Sequence, residues 1–188
     1  MSNRSIERDI AQIALYAALV AALGLLPKIS IPIAGGIPIT GQSLGVMLAG
    51  VMLGPVRGAL ALLLFLLVVA LGLPLLAGGR GGLAVFMSPS VGFLVGFPFA
   101  AMACGWLMGL MKEKSVLPSA WIAAALGGIV VLYAFGIPGL AWKAEMSLVD
   151  AAKVMAVYLP GDALKVLLTG LIAQTVWRGM PQALLSRN

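Results

Sequence analysis

The chain contains no histidine and a single cysteine, Cys104. Without histidine, neither a histidine-bound metal nor a Ser-His-Asp triad can be built within one chain. A lone cysteine cannot close an intrachain disulfide. Cys104 stands inside an apolar run and reads as a small packing residue. Charge is also scarce: charged residues make up 10% of the 188 residues, where a soluble domain carries about 25%. The G-x-x-x-x-G-K-[ST] loop is missing, so any energy from ATP must come through a partner. Nothing in the sequence calls for a cofactor.

What is present is apolar. Hydrophobic residues account for 62% of the chain and the mean hydropathy is +1.11, which places the chain in a bilayer. The length suits one compact bundle, a single membrane domain over residues 1–188. The net charge of +6 does not point to nucleic acid, because the basic residues are scattered at segment ends. They read as topology signals and contacts to anionic lipid head groups.

A membrane helix needs about 20 mostly apolar residues. Six stretches are expected to be helical, at about 10–26, 42–53, 58–73, 91–111, 118–135 and 160–178. The fold class is therefore an all-α integral membrane protein, a six-helix bundle with structured outer loops. The second stretch is too short to span alone. Non-helical backbone at membrane depth is tolerated only inside protein or beside a cavity, so a cavity near Gln42 is expected. The start is not read as a cleaved signal peptide, because Glu7 and Asp9 interrupt its basic region. With both termini cytoplasmic, seven basic residues lie inside and five outside. The inner loops are then tight. The outer loops are long: Lys28 to Thr40, the Gly-rich Ala77 to Gly82, and Gly136 to Leu159. Within the last, Ser147 to Tyr158 has the spacing of an interfacial amphipathic helix.

The outer loops converge on one face, where the last helix begins with Tyr158-Leu159-Pro160-Gly161-Asp162-Ala163-Leu164-Lys165. Residues three apart on a helix are neighbours. Asp162 has a plain reading as an acid complementing the helix dipole. Lys165 does not, since a cation early in a helix opposes that dipole. It reads as a ligand-binding residue or as a lysine snorkelling to head groups. Arg80 lies between two Gly-Gly pairs, whose freedom lets backbone approach a ligand; the other reading is an exposed arginine on a flexible tip. Gln42 offers donor and acceptor or simply ends a helix. Tyr158 and Trp142 are belt anchors or cavity walls. Ala14, Ala18 and Ala22 recur every four residues, either for packing within the bundle or for docking a second membrane protein. Asp162, Lys165 and Arg80 sum to one positive charge. Such a site suits a monoanion with N–H donors and an apolar body.

The ordered set Pro38-Ile39-Thr40-Gly41-Gln42, Leu44-Gly45-Val46-Met47-Leu48-Ala49-Gly50, Leu53-Gly54-Pro55, Gly72-Leu73-Pro74, Ala77-Gly78-Gly79-Arg80-Gly81-Gly82, Ser88-Pro89-Ser90-Val91-Gly92-Phe93 and the Tyr158–Lys165 stretch resembles the BioY family. These are biotin-specific S components of energy-coupling factor (ECF) transporters. The resemblance implies an S-component fold and high-affinity biotin binding at the outer face. It implies that Asp162 takes the ureido N–H groups and Lys165 the valerate carboxylate. Gly79, Gly81, Gln42 and Tyr158 would complete the site. It further implies that Ala14, Ala18 and Ala22 dock a membrane T component coupled to paired ATPases, or that the chain acts without them as an oligomer. Some relatives carry a polar uncharged residue at the place of Arg80, and some an arginine at the place of Leu94. The second cation has therefore moved, and Arg80 is expected to meet the carboxylate or the ureido oxygen. Two other readings stay open: an S component for another small anionic vitamin, and a membrane-embedded acid/base enzyme using Asp162 and Lys165.

Overall fold

The computed structural model describes residues 3–26 and 40–187. The described chain is helical, with no strand. Its helices are α1 (Asn3–Gly24), α2 (Gln42–Leu53), α3 (Pro55–Ala70), α4 (Val91–Leu110), α5 (Val116–Lys143), α6 (Leu148–Ala156) and α7 (Leu159–Gly179). Helix occupies all or most of each of the six apolar stretches. By length and composition, α4 and α5 each suffice to cross a membrane, and α6 with α7 pass together across a 57° bend. In α1 the first two turns carry Arg4, Glu7, Arg8 and Asp9, and α2 and α3 are short.

The bundle is built around α2. Ten of its twelve residues are buried, as befits a helix that is apolar all round. At 12 residues it is about 18 Å long, well short of a hydrocarbon layer of about 30 Å. Irregular backbone completes it at both ends. At one end the Gln42 amide binds the backbone of Leu75 and Ala77. At the other, the chain after α7 folds back, buries Leu184 and donates the Ser186 hydroxyl to the Val51 carbonyl. Gly54, at φ 85°, ends α2, and Pro55 immediately starts α3.

Glycines let the helices meet at backbone distance. A Cβ on Gly50 would collide with the Ala101 carbonyl of α4, and one on Gly105 would collide with Gly54. Gly50→Val is therefore expected to lower stability by about 2–3 kcal/mol through overpacking. Thermal melting of the detergent-solubilised chain checks this; an unchanged midpoint would contradict the close α2–α4 contact.

The third outer loop differs from the sequence expectation. Residues up to Lys143 belong to α5, not to a loop beginning at Gly136. Pro138 and the neighbouring glycines read as a break, yet Pro is tolerated in membrane helices whose neighbours satisfy the freed groups. Gly136 accommodates the Phe93 ring and Gly139 lies against Gly92, so these glycines are packing surfaces. α5 also contains a π segment at Leu126–Val131. After it, α6 forms where the amphipathic spacing predicted a helix, capped by the Ser147 hydroxyl accepting from Asp150 N at 3.1 Å. It buries Ala151, Val154 and Met155 against the end of α5. The first outer loop, Lys28 to Thr40, lies outside the described residues apart from Thr40 itself.

Candidate ligand-binding site

The start of α7 sets the geometry. Pro160 occupies its first turn, and the Asp162 amide closes that turn on the Tyr158 carbonyl at 3.0 Å. Lys165 falls one turn later on the same face. Its Nζ donates to Asp162 Oδ1 at 2.8 Å and to Ser43 Oγ at 2.8 Å. Tyr133 Oη of α5 donates to the other carboxylate oxygen, Oδ2, at 2.6 Å. The side chains of Lys165 and Asp162 are only 13% and 10% exposed, so solvent does little to support their charges. A buried pair is tolerable when hydrogen bonds satisfy what the pair leaves over. Here each carboxylate oxygen has a donor and the ammonium has two acceptors.

Arg80 approaches from the Gly-rich loop. Leu76 and Arg80 exchange two backbone hydrogen bonds, at 3.0 and 3.2 Å, closing a turn in which Gly78 and Gly79 adopt positive φ. The guanidinium donates from Nε to the Ala77 carbonyl and from Nη1 to Ser90 Oγ, both at 3.3 Å. Ser90 is in turn 2.9 Å from Ser88 Oγ. No carboxylate lies within ion-pair distance of Arg80 among the described residues. Gln42, 2% exposed, donates to Leu75 O at 3.2 Å and accepts from Ala77 N at 3.3 Å. Its amide therefore ties the loop that carries Arg80 to α2.

These groups line one cavity of about 80 Å³, tighter than the roughly 300–1,000 Å³ of small-molecule sites, so a ligand of biotin's size needs its walls to move apart. Gln42, Arg80, Tyr158, Asp162 and Lys165 all face it, with apolar walls from Leu76, Phe93, Leu94, Phe97, Leu132 and Met155. Asp162 and Lys165 cancel, which leaves the charge of Arg80. Gly79 and Gly81 are not among the lining residues. Gly79 makes the turn, and a Cβ on Gly81 would collide with the Leu73 carbonyl, so these glycines shape the loop. Trp142 is exposed and lies outside the cavity, with Lys143 Nζ 4.0 Å from its ring centroid. Ala14, Ala18 and Ala22 are exposed on α1, while Ala17 and Val20 face the bundle. Among the described residues, nothing packs over this four-residue line.

Sequence reasoning missed Tyr133, Ser43 and Ser90. For Tyr133 a signal existed: a phenol inside an apolar helix needs a hydrogen-bond partner. The two serines were visible only as neighbours of Gln42 and of the Gly92-Phe93 pair.

Fold and cavity together define a helical membrane protein with a pocket that combines apolar walls, an ion pair and an arginine. The family model described as "BioY family" matches residues 1–182. The chain is 48% identical to the biotin transporter BioY of Rhodobacter capsulatus, over 97% of this chain and 100% of that one. It is also 48% identical to that of Rhizobium etli, over 93% and 95%. A crystal structure of the S-component for biotin from an ECF-type ABC transporter superposes with a TM-score of 0.88 at 29% identity, covering 95% of both chains. The chain belongs to the BioY family, and its fold is that of an ECF S component.

Proposed function

We propose that this chain captures biotin with high affinity and serves its uptake across the membrane. The observation that carries this is the buried Lys165–Asp162 pair facing a cavity whose remaining charge is Arg80. Biotin offers a ureido ring with N–H donors beside a carbonyl acceptor, an apolar bicycle and a single carboxylate. An N–H next to a C=O matches a carboxylate next to an ammonium. On this reading Asp162 takes the ureido N–H and Lys165 the ureido oxygen. Arg80, held from behind by Ser90, takes the carboxylate. This moves the carboxylate from Lys165, where the family resemblance alone placed it. The reason is that the charge of Lys165 is already met by Asp162, which leaves its third N–H for a neutral oxygen, while Arg80 has no counter-ion among the described residues. A small anion without a ureido group would leave the Asp162 lone pairs unmet, which disfavours an S component for another vitamin. Acid/base catalysis is disfavoured because Asp162 is the sole acidic residue lining the cavity among the described residues.

The site opens at the outer face of a bacterial or archaeal cytoplasmic membrane, with both termini inside. Uptake of labelled biotin by a biotin-requiring bacterial host that lacks its own transporter tests the function. Accumulation should follow expression of this chain and stop in Asp162→Ala; equal uptake with and without the chain would refute it.

The T component and its ATPases are the partners that the family context supplies, with a homo-oligomer as the form that acts alone. The exposed Ala14–Ala18–Ala22 line is the docking face. Ala18→Trp is expected to leave biotin binding by the isolated chain unchanged and to abolish co-purification with a co-expressed T component. Undiminished co-purification would move the docking face elsewhere.

A further inference from the structure

Tyr133 donates a side-chain hydrogen bond to Asp162 on the oxygen that Lys165 does not use. A carboxylate has about four lone-pair positions. With one donor fixed on each oxygen, the carboxylate plane is set, and each oxygen has a second lone pair with which to accept. Without the phenol, the carboxylate is free to turn about its last torsion and close both oxygens on the Lys165 ammonium.

Three features of the fold aim the phenol. The π segment Leu126–Val131 ends just before Leu132 and Tyr133, which both line the cavity. A π turn holds one more residue than an α turn, so the residues beyond it are rotated by about 100° from where a regular helix would put them. The segment is fixed by contact: a Cβ on Gly127 would collide with Cys104, and one on Gly128 with Met47. Beyond it, the Phe93 ring meets Tyr133 edge-on at 6.3 Å and sits against Gly136, where a Cβ would collide with it. Tyr133 is thus gripped from both sides of its own turn.

We infer that Tyr133 is a positioning residue for ligand recognition: it orients the Asp162 carboxylate so that its second lone pairs accept the ureido N–H groups. This rests on the reading of the cavity as a ureido site. The test compares Tyr133→Phe with the parent chain, using biotin and a biotin methylated on a ureido nitrogen. Tyr133→Phe should bind biotin about tenfold more weakly, the scale of one hydrogen bond to a charged group. It should also lose most of the parent's preference for biotin over the methylated analogue. A purely structural role would weaken both ligands by one factor and leave the preference intact, which would overturn the inference. A second readout needs no ligand. The carboxylate infrared band, assigned by its loss in Asp162→Asn, should shift in Tyr133→Phe, and an unmoved band would also overturn it. Failure of the parent to bind biotin at all would instead overturn the ureido reading beneath it.

Discussion

Lys165→Ala should weaken biotin binding by about a hundredfold or more. Removing one member of a buried, hydrogen-bonded ion pair costs on the order of 3–5 kcal/mol, because the survivor keeps its charge without its partner. In the mutant, Asp162 would remain buried with only Tyr133 as a side-chain donor among the bonds described, and the ureido oxygen would lose its donor. Part of that cost falls on folding, so a second variant separates the two effects. The double change Asp162→Asn with Lys165→Met removes both charges and keeps the shape. It should fold more stably than Lys165→Ala alone, since no unpaired charge is left, yet bind no better. Equilibrium binding and thermal melting of the three proteins give both quantities. A folded Lys165→Ala chain that bound biotin like the parent would rule out the proposed site.

Arg80→Ala should cost about 10- to 100-fold in affinity for biotin, the range of charge-assisted hydrogen bonds at roughly 1.5–3 kcal/mol. The pattern across ligands is more telling than the size. The parent should prefer biotin to its uncharged amide, because Arg80 has no counter-ion among the described residues. Arg80→Ala should bind acid and amide alike, whereas Lys165→Ala should weaken both together. If Arg80→Ala weakened the acid and the amide by the same factor, Arg80 would not be the carboxylate receptor. Its guanidinium is steadied by Ser90 and by the Ala77 carbonyl of its own loop. A lysine there would lack the planar fork that serves Ser90 and a carboxylate together, so Arg80→Lys is a poor substitute.

Much of this was readable in the chain because the energetics of a bilayer are strict. Charges in apolar runs need reasons, and that alone singled out Asp162 and Lys165. The short stretch from Gln42 demanded non-helical backbone beside it, and the structure supplies that backbone from the Arg80 loop and the C-terminal turns. What escaped was governed by tertiary contact. Gly136, Pro138 and Gly139 look like breakers on paper, but the two glycines serve as a packing surface for Phe93 and Gly92. Gly79 and Gly81 read as ligand contacts, and the structure adds that they shape the turn carrying Arg80. The aim of Tyr133 depends on a π segment held by Cys104 and Met47, and no local pattern encodes that. The alanine line on α1 had two readings, and its exposure removes packing against the other described residues, leaving the docking reading as the proposal.

The central claim is that this chain, by itself, holds one biotin between the Asp162–Lys165 pair and Arg80. Equilibrium dialysis of the purified wild-type chain in detergent against labelled biotin tests it most directly, with unlabelled biotin or lipoate as competitor. Lipoate shares the carboxylate tail but lacks a ureido group. Saturable binding approaching one biotin per chain, displaced by biotin and not by lipoate, is the predicted result. A folded chain that binds no biotin, or that releases it equally to lipoate, would contradict the claim.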